Sequence, residues 1–261
     1  MPDRDGYPPG TPCWVDLMSP DVAASKAFYT GLFGWELDPM FDDEGNEVYA
    51  LARQDGRSVC GIGGQGPDMA GAPPIWNSYV AVADAEAAIG RVEQAGGRVL
   101  MPPMQVFDAG RMAVAADTTG AMFCLWQAEK HPGAGVVNEP DTYAWNELLT
   151  SEPEAAKTFY GDVFGWTYDG MDMGPDGMYW IVQGGESGLA GIMGRPPMMP
   201  VEAPDSWSVY FMVADIEAKV AAITAQGGRT LHGPDPVPGV GTIALVADPM
   251  GGNFSMMQPE G

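Results

Sequence analysis

Two histidines, His131 and His232, and three cysteines, Cys13, Cys60 and Cys124, stand in a chain of 261 residues. The cysteines are too scattered for a CxxC zinc or redox site, or for a disulfide framework. His131 lies in a Gly/Pro-rich stretch and His232 in a second one, Leu231-His-Gly-Pro-Asp-Pro236, so two histidines and a carboxylate cannot meet inside one domain as a facial metal triad. Acid–base chemistry therefore falls to carboxylates. Asp16 and Glu147 occupy the same place in two similar segments, each on a strand whose alternate residues are apolar. A carboxylate desolvated on such a face has a raised pKa and can act as general acid or base. The structural reading is an ion pair to an arginine such as Arg111, or a bond to a backbone donor. His232 is the remaining titratable candidate, either a proton shuttle or a solvated loop histidine.

The segments that carry the two carboxylates are an internal repeat. At an offset of 131, Trp14–Asp38 and Trp145–Asp169 share 10 of 25 residues without a gap. The same offset aligns Trp76–Asp84 with Trp207–Asp215, Gly96-Gly97-Arg98 with Gly227-Gly228-Arg229, and Asp117–Gln127 with Asp248–Gln258. Only the segment around Tyr49 and Tyr179 slips, by one residue. A period this long is a domain duplication rather than a solenoid, so each copy is expected to have its own core. The expected division is 1–130, a linker at 131–141 (His131-Pro-Gly-Ala-Gly-Val-Val-Asn-Glu-Pro140 within it), and 142–261.

Strand, helix and strands recur within each copy. Trp14–Met18 reads as a strand, with Ser19 as the cap of a helix that Gly34 ends. Asp55-Gly56 marks a hairpin between Val48–Ala52 and Ser58–Ile62. Ile75–Ala83, a helix over Ala85–Gln94 capped by Asp84, Val99–Leu100, Arg111–Ala115 and Met122–Gln127 complete the first copy. The second copy repeats the pattern, with helices at Glu154–Phe164 and Ile216–Ala225. The arithmetic gives an α+β protein of four βαβββ modules, at 11–63, 75–128, 142–194 and 206–259.

The charge excludes whole classes of partner. Twelve Lys and Arg against 35 Asp and Glu give a net charge of −23. Residues 1–130 carry 8 basic and 18 acidic groups, leaving 4 and 17 for 131–261, so both copies repel nucleic acid and anionic membrane. No apolar run approaches a membrane span, and the N-terminus has no apolar signal segment. A reduced, cytoplasmic protein is expected. Dinucleotide, Walker, zinc-spacing and G-x-S-x-G motifs are all missing from the sequence.

A duplicated βαβββ module, with Phe-Tyr late in its first helix and a Gly-Trp stop, resembles the vicinal-oxygen-chelate superfamily of glyoxalase I, extradiol dioxygenases and bleomycin-resistance proteins. The likeness extends to actinobacterial tandem proteins often labelled "hydroxylase" or glyoxalase-like, through Gly10-Thr-Pro-Cys-Trp-Val-Asp-Leu17, Pro74-Ile-Trp-Asn77, Asp108-Ala-Gly-Arg-Met112, Leu125-Trp-Gln127 and Trp145-Asn-Glu-Leu-Leu149. The resemblance implies two tandem domains whose sheets each curl into a cleft. It also implies metal ligands early in each module's first strand and in its last strand. Those positions fall on Trp14, Asn77 and Cys124 in one copy and Trp145, Ser208 and Ser255 in the other, none of them His or carboxylate. No metal and no cofactor is therefore expected.

The cleft-facing sets become Trp14, Asp16, Met18, Asn77, Tyr79, Cys124 and Trp126, and Trp145, Glu147, Leu149, Ser208, Tyr210, Ser255 and Met257. Apolar and aromatic linings with few polar groups suit small-molecule pockets. Two functions are open: a protein that binds a flat apolar metabolite, or a metal-independent enzyme using Asp16 or Glu147. Asn77 and Trp126 favour the first copy as the working site. A monomer with its domains packed as a pseudo-dimer is expected, since the duplication supplies the second domain.

Overall fold

A strand, a helix and three strands follow one another four times along the chain. The computed structural model describes residues 4–66, 69, 71–174, 177–184, 188–196, 199 and 203–260. The first copy runs β1 (Pro12–Ser19), α1 (Val22–Phe33), β2 (Glu36–Phe41), β3 (Glu47–Gln54) and β4 (Arg57–Gly64), then β5 (Ile75–Ala81), α2 (Ala85–Gln94), β6 (Arg98–Val106), β7 (Gly110–Ala116) and β8 (Met122–Ala128). The second runs β9 (Tyr143–Thr150), α3 (Pro153–Phe164), β10 (Tyr168–Asp172), β11 (Met178–Val182) and β12 (Gly191–Gly194), then β13 (Ser206–Met212), α4 (Ile216–Ala225), β14 (Arg229–Val237), β15 (Gly241–Ala247) and β16 (Asn253–Pro259). Each copy makes one eight-stranded sheet, in the orders β2-β3-β4-β1-β5-β8-β7-β6 and β10-β11-β12-β9-β13-β16-β15-β14. These are the two tandem α+β domains of four βαβββ modules. No helix among the described residues is long and apolar enough to cross a membrane.

Local chemistry sets most boundaries. Asp55 and Gly56 both take positive φ, 50° and 76°, as a two-residue hairpin between β3 and β4 requires. Asp84 caps α2, accepting from the Ala87 amide at 3.0 Å. At α1 the cap is Asp21 rather than Ser19, its carboxylate accepting from the Ala24 amide at 2.9 Å. Pro20 keeps Ser19 extended, so Ser19 ends β1. The edge strands β6 and β14 are longer than the sequence suggests because Pro102, Pro103, Pro234 and Pro236 interrupt their pattern, and prolines are tolerated at a sheet edge.

The core is not divided between the copies. Buried Phe28, Tyr29, Phe33, Trp35 and Trp76 of the first copy form one cluster with Phe211, Ile223, Phe254 and Met256 of the second. Phe159, Tyr160 and Trp166 of the second copy likewise cluster with Val92, Phe123 and Leu125 of the first. Two reciprocal bonds lock the exchange: Tyr29 donates to Asp248 Oδ2 at 3.1 Å, and Tyr160 to Asp117 Oδ2 at 3.0 Å. The other oxygen of each aspartate organises its own turn, taking the Thr119 and Ala121 amides in one case and the Met250 and Gly252 amides in the other. The repeated Phe-Tyr and the repeated Asp-x-x-Gly are therefore two halves of one joint.

The segment 131–141 is packed rather than loose. Ala134, Val136 and Val137 are buried. The Ala134 amide donates to the Cys13 carbonyl at 2.9 Å, and the Gly135 amide to that of Ser58 at 2.8 Å.

Candidate functional site

On β1 the side chains alternate between the interdomain core and the opposite face, which we call the cleft face. Trp14, Asp16 and Met18 point to the cleft. Register carries the face across the sheet: Trp14 pairs with Tyr79, Asp16 with Asn77 and with Gly61, and Met18 with Gly63. Tyr79 then pairs with Cys124, and Ala81 with Trp126. The seven cleft residues expected in the first copy are thus brought together.

Asp16 lies at the centre, 4% exposed. Its Oδ1 accepts from the Asn77 amide at 2.9 Å, and its Oδ2 from the hydroxyls of Tyr79 at 2.9 Å and Tyr49 at 3.0 Å. The Trp14 indole N–H donates to the same Tyr49 hydroxyl at 3.1 Å. Among the described residues, the side chains bonding Asp16 are Asn77, Tyr79 and Tyr49 rather than an arginine. Arg111 sits on the opposite face of β7 and pairs with Glu86 of α2 at 2.9 Å, because alternation turns Met112 and Val114 to the cleft instead. Burial pushes the Asp16 carboxyl above its ordinary value, against the pull of Asn77, Tyr79 and Tyr49.

The second copy repeats the arrangement with fewer donors. Trp145 pairs with Tyr210, Glu147 with Ser208, Tyr210 with Ser255 and Met212 with Met257. Glu147 Oε1 accepts from the Tyr210 hydroxyl at 2.8 Å, and Tyr179 also bonds the carboxylate. The Trp145 indole donates to Tyr179 at 2.9 Å. Ser208 does not reproduce the Asn77 bond, since its hydroxyl lies 3.4 Å from that of Ser255. Burial again pushes the carboxyl up, with Tyr210 and Tyr179 opposing it. Around it Trp145, Leu149, Ile181, Met193, Ile243, Leu245 and Met257 are only half-buried, so this cleft is the more open one.

Tyr49 and Tyr179 are site residues that the sequence reading left out. Each phenol lies across a glycine of the neighbouring strand: a Cβ at Gly61 would overlap the Tyr49 hydroxyl, and one at Gly191 the Tyr179 hydroxyl. A tyrosine recurring in both copies opposite a strand glycine was the available signal. His131 is the other omission. Its ring meets that of Trp14 edge-on at 4.5 Å and Trp126 at 5.9 Å, so it belongs to the first cleft and not to a tether. His232, expected in a loop over the second cleft, is instead on edge strand β14, exposed and 3.2 Å from Asp235.

The donor set does not suit a divalent cation. Among the described residues, no three His, Cys, Asp or Glu side chains lie together as a metal site. Asp16 is taken up by three donors, from Asn77, Tyr79 and Tyr49.

The raised carboxyls give a signed pH dependence. A folded-state pKa above the unfolded one means the unfolded chain ionises first, so stability falls as pH rises from near 4 through the folded values. Urea unfolding between pH 4 and 7 is expected to show the double variant Asp16→Asn/Glu147→Gln gaining on the parent as pH increases. A constant difference across that range would contradict the burial argument.

The sequence pattern of the Glyoxalase/Bleomycin resistance protein/Dioxygenase superfamily matches residues 13–125 and 134–256. The chain belongs to this superfamily. Within it, the chain is 43% identical over 260 residues to CFP32 of Mycobacterium tuberculosis, whose glyoxylase label is provisional, covering 99% of this chain and 98% of that protein. It is 38% identical to the anthracycline biosynthesis protein DnrV of Streptomyces peucetius, covering 97% and 94% respectively. The superfamily fold recurs in the 2,3-dioxygenase LapB from Pseudomonas sp. KL28, with TM-score 0.66, 13% identity and coverage of 96% and 92%. It recurs also in a Mn(II)-bound glyoxalase from Novosphingobium aromaticivorans, with TM-score 0.64, 16% identity and coverage of 96% and 82%.

Proposed function

We propose that this glyoxalase-like protein binds a small apolar or aromatic metabolite in its clefts without a metal ion. The observation that carries this reading is the half-buried apolar face around Trp145 and Met257, with a buried, hydrogen-bonded carboxyl at its floor. Such a surface favours a flat, uncharged ligand, and the charge of −23 disfavours an anionic one. The similarity to an anthracycline biosynthesis protein fits, since anthracyclines are flat polycyclic aromatics. We take the chain as a monomer acting on a small molecule, with no nucleic acid or membrane partner.

A second reading is a metal-independent isomerase, lyase or hydroxylase-type enzyme in metabolite or antibiotic biosynthesis or detoxification. Glu147 suits it better than Asp16. Fewer donors hold its carboxylate, and its cleft is more open, so a raised-pKa group there has access to a substrate proton. One experiment addresses both readings: tryptophan fluorescence and equilibrium dialysis against a panel of polycyclic aromatics, with product analysis. Micromolar binding that survives metal chelation is expected. Binding that needs an added divalent ion, or none across the panel, would sink the first reading. Turnover abolished by Glu147→Gln with binding retained would establish the second.

A further inference from the structure

His131 is fixed in place by its backbone, while its ring is left with work to do. Its carbonyl accepts from the Trp126 indole at 2.9 Å, and its amide donates to the Ala109 carbonyl at 3.0 Å. Three residues on, the Ala134 amide bonds the Cys13 carbonyl of β1. These bonds hold the imidazole between Trp14 and Trp126, both on the cleft face of the first sheet.

The polar groups around it are already paired. The Trp14 indole has Tyr49, the Trp126 indole has the His131 carbonyl, and Asp16 has its three donors. The Nε2 atom of His131 is different: it is sealed from solvent and has no hydrogen-bond partner. An unmet buried nitrogen carries a desolvation cost that a binding site recovers when its ligand arrives. Burial and the nearby Arg53 charge hold the imidazole down to about 4, so at neutral pH it is uncharged. A neutral imidazole with its proton on Nδ1 offers Nε2 as an acceptor.

We propose that His131 is the polar anchor of the first cleft, its Nε2 accepting a hydrogen bond from a ring hydroxyl of an aromatic ligand held against Trp14 and Trp126. The proposal rests on the reading of the clefts as sites for aromatic metabolites, and adds the functional group that the first cleft selects. Half-buried Met18, Met112 and Val114 line the same face. Unbranched methionines change rotamer readily and can adapt this face to an aromatic ligand.

The test compares 1-naphthol with 1-methoxynaphthalene, which has the same ring system with its hydroxyl capped. In the parent protein, equilibrium dialysis is expected to show 1-naphthol bound about tenfold more tightly, the equivalent of one hydrogen bond. His131→Phe keeps an aromatic ring edge-on to Trp14 and should bring the two affinities together by weakening 1-naphthol alone. His131→Gln returns a carbonyl acceptor and should restore part of the difference. Near-UV circular dichroism checks that both variants remain folded. Equal affinities in the parent, or a preference that survives His131→Phe, would overturn the anchor while leaving the aromatic cleft standing. Failure of both probes to bind the parent would remove the cleft reading and the anchor together.

Discussion

Alanine at Gly61 is expected to destabilise the protein by roughly 3–5 kcal/mol, a change in the exceptional tail for a single methyl group. The methyl would occupy the space of the Tyr49 phenol, with overlap at its hydroxyl, ring carbon Cζ and Cε1. A rigid ring on the neighbouring strand cannot yield as the end of a flexible side chain would. Moving it breaks the bonds from Tyr49 to Asp16 and from Trp14 to Tyr49, leaving a buried carboxylate and a buried indole each short of a partner. Gly90 provides the control. It lies inside α2 with nothing within 4 Å of an added Cβ, so Gly90→Ala should be neutral or stabilise by up to about 1 kcal/mol. Urea midpoints for the two variants, with Gly191→Ala as the second copy's counterpart, read out the comparison. A Gly61→Ala protein as stable as its parent would mean that Tyr49 is not held where the carboxylate needs it.

The cleft faces were legible because strand alternation is local. Once Trp14 is placed inward, Asp16 and Met18 must follow, and the 131-residue offset transfers the pattern to Trp145, Glu147 and Leu149. What satisfies Asp16 was not legible. Arg111 is a sound partner by charge, but one residue of register puts it on the far face of β7, and two phenols and an amide take its place. His131 escaped for a related reason. Gly and Pro around it signal irregular backbone, and irregular backbone can be either a tether or a fitted plug. Only the long-range bonds of Ala134 and Gly135 to β1 and β4 distinguish the two. His232 is the converse case, since prolines that suggested a loop sit on an edge strand.

The shared core makes the strongest global prediction: residues 1–133 produced alone should not fold. The repeat suggests two self-sufficient domains, yet the aromatic residues of α1 face the second copy. Phe33 lies 5.2 Å from Phe211, Trp76 lies 5.1 Å from Phe211, and Tyr29 lies 5.5 Å from Phe254, measured between ring centroids. Removing the second copy would uncover one side of Phe28, Tyr29, Phe33, Trp35 and Trp76. If each ring regains about 100 Å² of water contact, at about 25 cal/mol per Å² the loss is on the order of 12 kcal/mol. That matches the whole stability of an ordinary domain, about 5–15 kcal/mol, before the unpaired Tyr29 and Asp117 are counted. The isolated half should therefore show a collapsed amide proton spectrum, and mixing it with residues 134–261 from denaturant should restore dispersion for both. A well-dispersed, cooperatively unfolding 1–133 fragment would show that each sheet closes its own core. The reciprocal tyrosine–aspartate joint would then be an accessory to the fold rather than its condition.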